Sequence, residues 1–130
     1  MDKQTLEHFQ QLEQQLSKQY GPFRLFGLFH FPDRLWSWDL LVSAPWLAER
    51  PADAYEILAD ALSNGAGGYL ADLIGGPRVL DEGDPMLDHL LDRLSLEHDL
   101  HVMHDMELLQ YEADQAYVIT CQRLHVEAAA

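Results

Sequence analysis

A chain of 130 residues, 48% of them apolar, is rich enough in hydrophobic groups to pack one domain and too rich to stay disordered. Its 22 acidic residues against 8 basic ones give a formal net charge of −14, which repels phosphate backbones and argues against direct nucleic-acid binding. The single cysteine, Cys121, excludes an intramolecular disulfide, no run approaches the ~20 apolar residues that span a bilayer, and MDKQTLEHF carries no secretory pattern, so a soluble cytoplasmic protein is expected.

Residues 3–19 are predicted to be helical. Leu6, Phe9, Leu12 and Leu16 recur near the helical period, Gly21-Pro22 stops the helix, and the polar face is mostly glutamine. FRLFGLFHF, residues 23–31, and LWSWDLLVS, residues 35–43, are predicted strands joined by the turn Pro32-Asp33-Arg34. Alternation places Phe23, Leu25, Phe29 and Phe31 on one face of the first, and Trp36, Trp38, Leu40 and Val42 on one face of the second. Phe26, Leu28 and Leu41 fall on the opposite face, so both faces carry apolar groups and a central position in the sheet is expected.

A second helix is predicted over 51–63, with Pro51 at its first position and Asn64-Gly65 at its end. The glycine-rich run 65–76 admits a short helix over 69–74, and 78–80 a brief strand. Asp84 and Pro85 start a third helix over 84–94, with Leu87, Leu90, Leu91 and Leu94 on one face and Asp88 and Asp92 on the exposed side. The tail, 107–124, is read as a hairpin turning near Ala113-Asp114-Gln115, with a frayed VEAAA end. The expected core includes Leu25, Phe26, Leu28, Phe29, Leu40, Val42, Leu87, Leu90, Leu91, Val118 and Ile119. Together these elements predict a single α+β domain over 1–130: a largely antiparallel sheet of four to five strands built from hairpins, with about three to four helices packed mainly on one face.

HDLHVMHD, residues 98–105, is the densest group of candidate ligands. As a helix it would put His98, His101 and Asp105 on one face with His104 nearby, a donor set that suits zinc or another divalent transition metal. As a strand it puts Leu96, Leu100, Val102 and Met106 on a core face with His98 and His104, and Glu97, Asp99, His101, Asp105 and Glu107 on the other. His98 and His104 would then stand ~20 Å apart, too far to share an ion. The alternation favours a strand, or a loop entering one, with the histidines on a polar edge; His89 or His125 would have to complete a metal site.

Other motifs fail their chemical tests. Gly65-x-Gly67 follows a helix and has Leu70 where a dinucleotide fingerprint needs its third glycine. Ser43 lacks a nucleophile-elbow context, and Cys121 has no cation nearby except Arg123, two residues on. Asp81, Glu82, Asp84, Asp88 and Asp92 read as an acidic helix face rather than a catalytic carboxylate pair, and DEGDP lacks the calcium-loop pattern.

The acidity is concentrated. Residues 1–80 hold ten acids and six bases, whereas 81–114 hold eleven acids and one base, Arg93. The functional expectation is a small non-enzymatic binding protein that docks a basic protein partner through Asp81, Glu82, Asp88, Asp92, Glu97 and Asp99, with Trp46 as an aromatic contact if it is not core. Immunity proteins and secretion chaperones are small acidic proteins of this compositional kind. The alternative is a metal-binding protein or metal-dependent enzyme using His98, His101 and His104. Homo-oligomerisation through an open sheet edge or Trp46 is the third reading.

Overall fold

The computed structural model describes residues 1–34, 37–64, 68–109 and 111–124. Leu35 and Trp36 of the expected second strand, residues 65–67 of the glycine run, His125 and the VEAAA end lie outside the described residues.

Helix α1 (Lys3–Tyr20) starts where the Asp2 carboxylate accepts a 2.8 Å hydrogen bond from the Thr5 amide. It stops at Gly21, whose φ of 129° follows the last turn. Strands β1 (Leu25–His30) and β2 (Trp38–Ser43) form the expected antiparallel pair, in register from Leu25 opposite Ser43 to Phe29 opposite Asp39. Two short-spaced helices, α2 (Pro45–Glu49) and α3 (Pro51–Asn64), lead to α4 (Tyr69–Leu73), which passes directly into β3 (Ile74–Val79). Helix α5 (Pro85–Leu91) and the hairpin β4 (His101–Leu108) and β5 (Tyr111–Cys121) complete the chain.

The sheet order is β3-β2-β1-β5-β4. The pairs β1–β2, β1–β5 and β4–β5 are antiparallel, and β2–β3 is parallel. The expected α+β architecture with a mostly antiparallel sheet is what the chain forms, and β1 holds the expected central place. Alternation along β1 and β2 divides the core into two. Phe26, Leu28, Leu40 and Val42 pack against α1, α2, α3 and α4 through Leu12, Trp46, Leu58 and Leu70. Leu25, Phe29 and Leu41 face the other way, towards Met86, Leu87 and Leu90 of α5. Four helices thus cover one face and α5 the other. All of the expected core residues are buried except Leu91, which is half-buried.

Four local expectations are revised. Phe23 joins the cluster of Phe26 and Leu28, because it precedes β1 and escapes its alternation. The third strand is longer than expected, begins at Ile74, and runs parallel to β2; it is an edge strand, where Gly75, Gly76 and Pro77 are tolerated. Helix α5 ends at Leu91 rather than Leu94, since the Arg93 guanidinium donates to the His89 carbonyl and closes the last turn. The tail hairpin turns between Leu108 and Tyr111, so Ala113, Asp114 and Gln115 lie inside β5, where Ala113 pairs with β4 and Gln115 with both β4 and β1.

One irregularity positions chemistry. The register between β1 and β5 slips at Phe26/Gly27, leaving Ile119 without a partner on β1. Ile119 and Thr120 therefore both turn towards the α1 layer, where Ile119 packs and Thr120 bonds to Glu13. Gly27 fits this bulge because a Cβ there would stand 2.8 Å from the buried Phe29 ring.

Candidate docking site on the acidic hairpin

The six acids singled out in the sequence, Asp81, Glu82, Asp88, Asp92, Glu97 and Asp99, are all exposed. Glu82 reaches back to Arg24 at 3.3 Å, and Asp92 is bonded to Arg123 after β5. Glu97 accepts from the Gln122 amide at 2.9 Å, while the Asp99 carboxylate caps its neighbour's Leu100 amide. Three of the six are thus engaged by side chains beside them, and Asp88 lies on the α5 face while the Asp99 carbonyl meets Gln10 of α1. Trp46 is only 7% exposed: it packs with Phe23, stacks on Tyr20 at 4.7 Å and donates its ring N–H to the Gly21 carbonyl at 3.0 Å. The aromatic contact expected there is spent inside the core.

The three histidines are not brought together. His98 precedes β4 and binds inward, whereas His101 and His104 are exposed on β4 itself. Among the described residues, no group of three or more His, Cys, Asp or Glu side chains is placed to hold a metal ion. His89 shares a 3.0 Å hydrogen bond with the Glu107 carbonyl, and His125 is outside the described residues. The clean alternation expected over 96–107 is broken by left-handed backbone at His98 (φ 53°) and Asp105 (φ 50°). As a result Val102 is 45% exposed instead of lining the core, and Met103 and Met106 both pack against the α5 side.

His98 belongs to a buried polar clamp that the glutamine-rich reading of α1 passed over. The Glu13 side chain is 0% exposed, between α1 and the sheet. Its Oε1 shares a 2.6 Å hydrogen bond with His98 Nδ1, and its Oε2 accepts from the Thr120 hydroxyl at 3.1 Å. The same hydroxyl oxygen accepts from the His98 amide at 3.1 Å. Burial pushes the Glu13 carboxyl above the usual range, and the bonds from His98 and Thr120 pull against it without cancelling it. Both carboxylate oxygens are satisfied, which is what keeps a buried acid tolerable. Glu97 stands 3.7 Å from the outer ring nitrogen of His98.

A more concentrated group of acids lies on the β4–β5 hairpin. Asp105, Glu107, Glu112 and Asp114 line one concavity of about 180 Å³ with Pro32 and Ala113. Glu107 is paired directly with Glu112 across the two strands, and Asp105 and Asp114 lie between the paired residues His104–Gln115 and Met106–Ala113. Like charges opposite one another on an antiparallel pair oppose the hairpin's formation. His30 Nδ1 lies 2.6 Å from Asp114 Oδ1, and among the described residues no lysine or arginine lines this concavity. Spacing hid the group in the sequence, because its members meet only when the chain turns after Leu108. Glu107 and Glu112 sit symmetrically about that turn, a signal that needs the turn placed correctly to be read.

Cys121 is buried, and burial pushes its thiol up to about 11. Ser43 is fully buried beside Arg24, with no access for a substrate. No helix of the described residues is long and apolar enough to cross a membrane. No protein-family model matches the chain, and no match was found among curated proteins or among solved structures.

Proposed function

We propose that this chain is a small acidic binding protein whose partner is another protein with a basic surface, and that the β4–β5 hairpin is where that partner docks. The observation that carries the reading is the facing of Glu107 and Glu112, within a concavity that also holds Asp105 and Asp114. Glu107 and Glu112 repel one another in the free protein. A lysine or arginine entering between them converts mutual repulsion into charge-assisted hydrogen bonds. The acids around α5 and at Glu97 and Asp99 add a long-range field that draws a basic partner in without touching it. A cytoplasmic setting remains part of this proposal.

The test compares capture from an extract of the source cells by the wild-type chain and by a chain carrying both Glu107→Lys and Glu112→Lys. The reading expects a protein retained by the first and released by the second. Retention of the same proteins by both contradicts it.

A further inference from the structure

The acidic concavity does not end at the carboxylates. Pro32 and Glu112 also line the next hollow, of about 280 Å³, together with Phe31 and Tyr111 and the charged Asp33, Asp39 and Arg78. Arg78 and Tyr111 then line a third, of about 360 Å³, with Leu80, Met86 and Leu109. Each hollow shares lining residues with the next, Pro32 and Glu112 between the first two and Arg78 and Tyr111 between the last two, which sets them side by side as a groove from the four carboxylates, past an aromatic pair, to Leu80, Met86 and Leu109 with Asp84 beside α5. Phe31 and Tyr111 meet edge to face at 6.4 Å across its middle.

Two side chains on this groove are out of place in a free protein. Leu109 is 53% exposed and Tyr111 44% exposed, and both flank the hairpin turn. Leu109 also has φ of 61°, a left-handed conformation that favours glycine or asparagine and is strained for leucine. A turn made of the wrong residue, with its side chain in water, beside facing carboxylates, breaks local rules at one place without a return inside the chain.

We infer that the groove holds an extended segment of the partner in which a lysine or arginine stands next to a large apolar side chain. This deepens the proposed function and rests on it. The cation enters the carboxylate end, and the neighbouring apolar side chain packs on Tyr111 and Leu109, which desolvates the ion pair and strengthens it. Arg78, which lines both the middle and the far hollow, has donors to offer the segment's main-chain carbonyls. Charge complementarity sets which end takes the cation, and continuity of the groove sets the apolar residue beside it.

Four blocked peptides of equal length test this by fluorescence anisotropy: one with arginines flanking tryptophan, one with arginines flanking serine, one with glutamines flanking tryptophan, and one with glutamates flanking tryptophan. The arginine–tryptophan peptide is expected to bind best, at least about tenfold tighter than the arginine–serine peptide. Leu109→Ser, at an exposed position that should leave the fold intact, is expected to erase most of that tenfold advantage while leaving arginine–serine binding unchanged; Tyr111→Ser should do the same. Equal binding of the two arginine peptides, or indifference to Leu109→Ser, overturns the inference and spares the acidic docking reading. Equal binding of the arginine and glutamate peptides, or no binding of any peptide, overturns both.

Discussion

The Glu13 carboxylate sits where water cannot reach it, and three bonds converge on it and its neighbours to make that acceptable. Its raised pKa has a definite consequence for stability. The folded state prefers the neutral acid, so Glu13 contributes stability that is fully present below the unfolded value of 4.5 and is lost as pH rises through the higher folded value. Glu13→Gln removes that titration and keeps a side chain able to bond. The melting temperature of the wild type relative to Glu13→Gln should therefore fall as pH rises above 4.5; a constant or rising difference would show that burial does not govern this carboxyl. Cys121 gives a second residue-scale expectation. With its thiol near 11 and no exposed surface, roughly one molecule in a thousand carries the thiolate at pH 8. A disulfide reagent should leave the native protein unmodified over the time in which it titrates one thiol in denaturant. Neither Glu13 nor its link to His98 was legible in the sequence, because the two are 85 residues apart and Glu13 lies next to the leucine stripe it resembles in position but not in chemistry. Cys121 was legible, since an apolar run around a lone cysteine with no adjacent cation already describes a buried thiol.

At the scale of elements, legibility followed how strongly local rules agree. Helix α1, the pair β1–β2 and the start of α5 carry periodicity, caps and turn residues that point the same way, and each formed where expected. The β4–β5 hairpin is the opposite case. Its turn falls at Leu109, a residue with no turn chemistry, while the polar Ala113-Asp114-Gln115 that looked like a turn is drawn into β5 by the pairing of Ala113 with β4 and of Gln115 with β4 and β1. The left-handed residues His98 and Asp105 then shift which side chains face the core. β4 is also an edge strand, and the Asp105 kink, its charged side chains and the His89 contact to the Glu107 carbonyl blunt that edge against pairing with another copy. If the hairpin's local costs are kept for a partner, relieving them should stabilise the free protein and weaken docking together. Glu107→Lys replaces a repulsive pair with an attractive one, and Leu109→Asn relieves the turn; each is expected to add up to about 1 kcal/mol, or about 3 °C in melting temperature. A loss of thermal stability in both variants, measured by circular dichroism, would mean that the hairpin is already at its best.

Over the whole molecule, the sheet is covered on both faces, by four helices on one side and α5 on the other, and most of its charge is carried outside that core, with Glu13 and Asp39 buried. Composition gives the acidity, and the order of the predicted elements gives the α+β class. Neither foresaw which acids converge, since convergence depends on a turn and on strand order rather than on the count of carboxylates. With a net charge of −14, the field around the protein extends beyond any single contact and is screened within a Debye length of about 10 Å at 0.1 M salt. Association with a basic partner should therefore be fast at low ionic strength and slow steeply as salt rises, while dissociation responds mainly to the groove. The most direct test is the association rate of the captured partner, followed by stopped flow from low to high ionic strength for the wild type and the doubly substituted Glu107→Lys, Glu112→Lys chain. Docking on the acidic hairpin predicts a fall of about tenfold or more for the wild type and a much shallower slope for the variant. Equal slopes, or a rate that salt does not change, would contradict it.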